Sequence, residues 1–455
     1  MGRLTRNLGQ ILRKSLRILV PSAVKQFFQG TRLLAAESRY HSHMRPLLAT
    51  LATFSALAFA QTPAAWEEPL ARHEWDKAEL LLKTALANGE TAPVLRGLAT
   101  VYRATVRLDA ADPVLERLVA LDGSITNLED LARIKASLGF LDRAESLYRR
   151  SLELRMAGNP DLLASIPIRV RLAQVLVSEK KFPEAEQEGY TVIALRTRAV
   201  SANLPGANQA DLAGDNALLA RVFQVQKKWQ AAAGVWETVA TIQTDAYGDE
   251  DLRLADTLDR LSDCRFEMKM VDPAVEAVRR ALVIRELNLG TVNADVAATT
   301  DHLGKILYYA KRYSEAEPYF QRTLDIDLKL PGSDNPELAR AYDDLAVTEA
   351  MLEKYTEAEA HYREALKLRD ADDTLSLRNL ALVLTAQKKN VEAQPLYSRA
   401  LAVLDAANNG DPEFLKVILT EYSSLLRDLK RPLDAAKLDQ RLKQTPKQAP
   451  VAAKQ

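Results

Sequence analysis

Two spacings recur along the chain. A Leu followed by a small residue stands twelve positions before an alanine, as with Leu303, Gly304 and Ala316, and a large apolar residue, here Phe320, follows the alanine by four. Searching outward from Ala316 gives Ala78, Ala111, Ala144, Ala185, Ala232, Ala274, Ala358, Ala393 and Ala435, at intervals of 33 to 47 residues. The small residues ahead of them are Ala99, Ala132, Ala173, Ala220, Ser262, Ala346, Ala381 and Ser423, and only the first copy departs, with Trp66. Offsets of three and four fall on one face of a helix. Each copy therefore predicts two short amphipathic helices in a hairpin, with small residues where the two backbones come close. Larger residues such as Trp229, Trp236, Tyr355 and Tyr362 fill the seam on either side. An aromatic stripe of this kind could also stack a ligand, but the seam accounts for it at every copy. A period in this range marks a solenoid.

The links between copies carry turn chemistry. In Pro331-Gly332-Ser333-Asp334-Asn335-Pro336-Glu337, Gly332 can end one helix and Asn335, Pro336 and Glu337 can open the next. Asn159-Pro160-Asp161 and Asp411-Pro412-Glu413 repeat the device. The residues beyond a minimal hairpin are expected in longer helices and in these loops. Residues 444–455 hold two prolines and no apolar period, and are expected to be a disordered tail.

The start of the chain differs in kind. Met44-Arg45-Pro46 precedes a charge-free run from Leu47 to Ala60 that ends Ala58-Phe59-Ala60. A basic start, a short apolar core and a small-x-small ending are the parts of a secretory signal peptide, and the run is short for a membrane span. Residues 44–60 are thus read as a signal peptide cleaved after Ala60, which implies an exported protein, periplasmic or extracellular. The other reading is a buried helix of a cytoplasmic protein. Residues 1–43 are either a start-site artefact or a basic leader, which could lie on a membrane surface; the repeats are assigned to 61–443.

Charge sharpens the picture. The chain is formally neutral, with 61 Lys and Arg against 61 Asp and Glu. Residues 1–60 are strongly basic, however, so the repeats are net acidic. That argues against a nucleic-acid partner, which needs a basic face. A single cysteine, Cys264, excludes an internal disulfide and is read as a small buried residue. His73, His302 and His361 are well separated, with no metal-ligand pair and no His-Glu-x-x-His. Phosphate-cradling loops and nucleophile elbows are also missing. No cofactor, metal or catalytic residue is expected, and Asp343-Asp344 is read as a surface acid pair.

The pattern resembles the tetratricopeptide repeat, and from about Asp259 to Leu401 it is similar to the longer variety found in kinesin light chains. The likeness rests on Leu303-Gly304 with Tyr313-Ser314-Glu315-Ala316-Glu317-Pro318-Tyr319-Phe320, Leu345-Ala346 with Tyr355-Thr356-Glu357-Ala358-Glu359, and Leu380-Ala381 with Glu392-Ala393-Gln394-Pro395-Leu396-Tyr397. The resemblance implies an all-α, right-handed solenoid of about ten antiparallel helix pairs, with a concave groove for peptides or partner domains. It implies no chemistry. The groove would be lined from the first helix of each pair, which nominates Arg96, Arg103, Arg133, Arg221, Asp259, Asp263, Asp301, His302, Lys305, Tyr308, Asp343 and Arg378. A peptide-holding Asn that the kinesin light chain repeats commonly carry two residues before the small residue is kept in type only at Asn379. The nominated residues lean basic early and acidic in the middle. The expected function is a non-catalytic protein–protein interaction scaffold that binds a partner protein or peptide, with no integral membrane span. The alternatives are an architectural module whose polar residues pair between repeats or by self-association, and a cytoplasmic adaptor.

Overall fold

The computed structural model describes residues 64–157, 162–332, 336–369, 373–406 and 412–445. The expected leader, the signal peptide and residues 446–455 lie outside them. Two compact units divide the chain, with the boundary between Arg107 and Leu108. The first contains α1 (Glu67–Ala71), α2 (Trp75–Asn88) and α3 (Ala92–Ala104). The second opens with α4 (Leu108–Leu121) and continues as hairpins of a first and a second helix. These pairs are α5 (Ile125–Ser137) with α6 (Leu141–Met156), α7 (Leu162–Ser178) with α8 (Phe182–Ser201), and α9 (Asp211–Val225) with α10 (Trp229–Tyr247). Then come α11 (Leu252–Glu267) with α12 (Val271–Leu289), and α13 (Ala294–Tyr309) with α14 (Tyr313–Asp327). The last are α15 (Pro336–Met351) with α16 (Tyr355–Leu368), α17 (Thr374–Ala386) with α18 (Asn390–Ala406), and α19 (Pro412–Asp428) with α20 (Pro432–Gln444). Among the described residues there is no strand, and the second unit is an all-α solenoid of paired helices.

The seam forms as the spacing predicts. Each second helix begins three residues before its alanine, and Ala144, Ala185, Ala232, Ala274, Ala316, Ala358 and Ala393 are all 0% exposed. Four residues on, Tyr148, Trp236, Val278, Phe320, Tyr362 and Tyr397 are buried, so these side chains pack in the seam. Close approach is real at Gly304, where an added Cβ would lie 2.8 Å from the Phe320 ring. That is inside van der Waals contact, so a larger residue there must displace the ring. The first helices of neighbouring hairpins also touch, at α7 with α9 and at α15 with α17.

A second regularity lies in the turn inside each hairpin. Five residues before each seam alanine the chain turns left-handed, at Gly139, Lys180, Lys227, Lys269, Lys311, Glu353, Lys388 and Lys430. The backbone closes in a fixed way: around Lys311, its N–H donates to the Tyr308 carbonyl and the Arg312 N–H donates to that of Leu307, at 2.8 Å each. This is the hydrogen-bond pattern that ends helices with a left-handed residue, usually glycine. Lysine takes the place at six of these eight turns, where a positive side chain is favoured at the negative end of a helix, and Glu353 departs from that preference. Between hairpins, Pro336 and Pro412 begin α15 and α19 as expected. Gly332 does not end α14, which stops at Asp327 in a tighter turn, with the Leu330 N–H shared between the Ile326 and Asp327 carbonyls. Side-chain caps stand at Asp251, Asn293 and Asp373. Gln444, expected in the tail, is the last residue of α20.

Candidate partner-binding face

Two places define the rungs of the first-helix face in the second unit. One is the residue just after the small residue; the other, on the next first helix, is the residue two before it. Asp263 on α11 meets His302 on α13 in this way, with Nε2 3.0 Å from the carboxylate. Lys305 on α13 meets Asp344 on α15 at 3.3 Å. The rung places continue as Val347 with Asn379 and Leu382 with Glu421.

Ion pairs tie up most of the acidic middle of this face. Arg285, reaching in from α12, bonds Asp259 and Asp256 at 2.7 Å each and donates to Thr299 at 2.7 Å. These groups and Asp295 line a cleft of about 370 Å³ that also contains His302. Burial pushes the His302 pKa down, but hydrogen bonds and attraction from Asp259 and Asp263 outweigh it and lift the group to about 9. It is therefore an imidazolium held between two carboxylates, a clasp between hairpins. Asp301, buried, bonds Lys305 at 2.7 Å. Asp343 pairs with Arg369 at 2.7 Å, yet burial raises its carboxyl to about 6. Arg378 bonds Glu421 on α19 at 2.5 Å, with Asn379 3.4 Å from its guanidinium. Tyr308 is half-buried against Tyr309 and Tyr313, with ring centroids 5.5 and 5.3 Å away.

The basic part of the face is arranged differently. Arg133 on α5 bonds Asp130 at 2.9 Å, while its Nε is buried without a hydrogen-bond partner. Its rung partner on α7 is Arg171, and both charges act on the Tyr148 hydroxyl, whose pKa burial nevertheless raises. Arg221 on α9 has Arg260 on α11 as its rung partner. Loss of hydration and then repulsion from Arg260 lower the Arg221 pKa. Among the described residues neither Arg221 nor Arg260 makes an ion pair, although both are exposed. Arg96 and Arg103 lie on α3 of the first unit, the former exposed and the latter half-buried. The nominated residues of the second unit thus fall into a cross-linked acidic cluster and an arginine stretch. Among the described residues, no group of three or more His, Cys, Asp and Glu is placed to hold a metal ion.

A ladder that the sequence reading missed joins the second helices. The basic residue four before a seam alanine reaches back to the acid just after the preceding alanine. Lys181 bonds Glu145 at 2.6 Å, Lys228 bonds Glu186 at 2.5 Å, and Lys354 and Lys389 bond Glu317 and Glu359 at 2.6 Å each. Arg107 and Glu79 do the same inside the first unit, at 2.6 Å. Its signal in the sequence is a basic and an acidic residue at two fixed places, present at these five steps and absent at others, as where Met270 stands with Ala233 or Arg312 with Val275.

Repeated hairpins of this kind define a helical-repeat protein. Residues 295–371 match the family model of the tetratricopeptide repeat, so the chain carries such repeats there, and the hairpins on either side share their seam. No curated protein matches the chain. Among solved structures it is similar to BtubC (BKLC) from P. vanneervenii, at 22% identity over 51% of this chain and 91% of that one, with a TM-score of 0.43. A kinesin light chain from Podosopora anserina with nearly identical TPR-like repeats aligns at 20% identity over 45% of this chain and 99% of that one, with a TM-score of 0.40. The C-terminal part of a TPR repeat-containing protein from Cytophaga hutchinsonii aligns at 14% identity over 61% and 96%, with a TM-score of 0.44.

Proposed function

We propose that the protein is a non-catalytic interaction scaffold of the cell envelope that takes a segment or domain of another protein along its first-helix face. The observation that carries the reading is the contrast along that face. The acidic hairpins consume their charges in clasps, whereas Arg221 and Arg260 present theirs to solvent. A purely architectural face would be expected to pair its charges throughout, because a like-charged rung costs stability. The tetratricopeptide match supports a protein partner, since such repeats serve as interaction scaffolds. Export rests on Met44 to Ala60 in the sequence.

The test is affinity capture from the native cells with the wild-type chain and with Arg221→Asp, read by mass spectrometry, alongside N-terminal sequencing of the recovered protein. The proposal expects a partner depleted by the variant and an N-terminus at or near Gln61. Equal capture by both chains, or an intact N-terminus on a cytoplasmic protein, would contradict the binding and the location respectively.

A further inference from the structure

The rung positions say what the arginine stretch lacks. Where a rung is charged on both sides in the later hairpins it is an ion pair, Asp263 with His302 and Lys305 with Asp344. In the earlier hairpins the same two places hold Arg133 with Arg171 and Arg221 with Arg260, with the uncharged Gln174 and Leu218 between them. Each later cation has its carboxylate supplied by the neighbouring hairpin. For Arg221 and Arg260 no described residue supplies one. Arg221 and Arg260, on neighbouring first helices and near enough for Arg260 to repel Arg221, each offer a carboxylate a fork of parallel N–H donors.

We infer that the partner contributes an acidic segment whose carboxylates complete these two rungs, with Arg221–Arg260 as the stronger site because Arg133 is already shared with Asp130. This deepens the scaffold reading and rests on it. The spacing sets the ligand. Packed helices lie roughly 8–10 Å apart, so two rungs separated by two hairpins are on the order of 20 Å apart. An extended chain covers ~3.3–3.6 Å per residue, so acidic residues about six positions apart reach both. A polynucleotide carries phosphates but suits the site less well, because a long polyanion would also meet the acidic hairpins that follow.

The test uses the full chain and a fluorescein-labelled extended peptide of about twelve residues, with two glutamate pairs about six positions apart, read by anisotropy. The expected result is saturable binding that weakens as salt rises, is lost with glutamine in place of glutamate, and falls at least ~10-fold in Arg221→Asp. That variant recreates the kind of rung seen at Asp263 and His302, so its melting temperature should equal or exceed that of the wild type. No binding by the wild type, equal binding by Arg221→Asp, or equal binding of the glutamine peptide would overturn the inference. Preference for a single-stranded oligonucleotide of similar length would overturn it too, by assigning the face to phosphate. If the peptide fails while a captured cellular partner still depends on the first-helix face, the scaffold reading survives and only the acidic ligand is lost.

Discussion

Gly304 shows how much one residue decides in a repeat. The Phe320 ring fills the space a side chain would need, so Gly304→Val should lower stability by about 1–3 kcal/mol, seen as an earlier urea midpoint. An unchanged midpoint would mean that the seam is looser than the geometry shows. Lys311 offers the opposite case. A left-handed residue with a Cβ costs roughly 1–2 kcal/mol, partly offset by the extra freedom glycine has in the unfolded chain, so Lys311→Gly should raise stability by up to ~1 kcal/mol. The seam was readable from the sequence because small and large apolar residues alternate with a fixed offset. The left-handed turn was not, because its usual sign is glycine and here only Gly139 shows it in the second unit's hairpin turns. Lysine at a helix end is too common on surfaces to announce a backbone conformation.

Between elements, charge is the fastening. Hydrogen bonds from Lys181 and Arg149 hold Glu145 at about 2 against the effect of burial, and Lys389 and Arg363 hold Glu359 at about 2 in the same way. Their folded pKa lies below the usual 4.5, so their contribution is present above that pH and is lost as pH falls toward about 2. Melting temperature should therefore drop over that interval, and less steeply in Glu145→Gln. The His302 clasp has the reverse sign. Its pKa is raised from 6.5 to about 9, so its stabilisation is complete below the first value and disappears as pH rises through the second. Partial exposure screens it, so the loss should be about 2 kcal/mol at most. Melts of the wild type and His302→Asn should converge on raising the pH; a constant gap would remove the imidazolium from the account. The pairs within one helix, Glu145 with Arg149 and Glu359 with Arg363, are readable as i, i+4 spacings, whereas local spacing does not show which residues of different hairpins meet. His302 and Asp263 stand 39 residues apart, and Lys181 and Glu145 stand 36 apart. Only the packed repeat brings them together, which is why the sequence could nominate Asp259 and Asp263 for a partner without showing them bound within the chain, whereas Asp301 pairs with Lys305 inside α13.

For the molecule as a whole, stacked hairpins make stability a sum of units and interfaces. A destabilised hairpin should therefore loosen its neighbours before the distant ones. The first-helix face keeps its free positive charge at Arg221 on α9 and Arg260 on α11, and α11 also carries Asp259 and Asp263, the start of the cross-linked acidic cluster. Hydrogen exchange of the chain with and without its captured partner tests the scaffold claim most directly. The expected result is slowed exchange in α7, α9 and α11 with little change in α8, α10 and α12. Protection confined to the second helices, or none on the first-helix face, would contradict it.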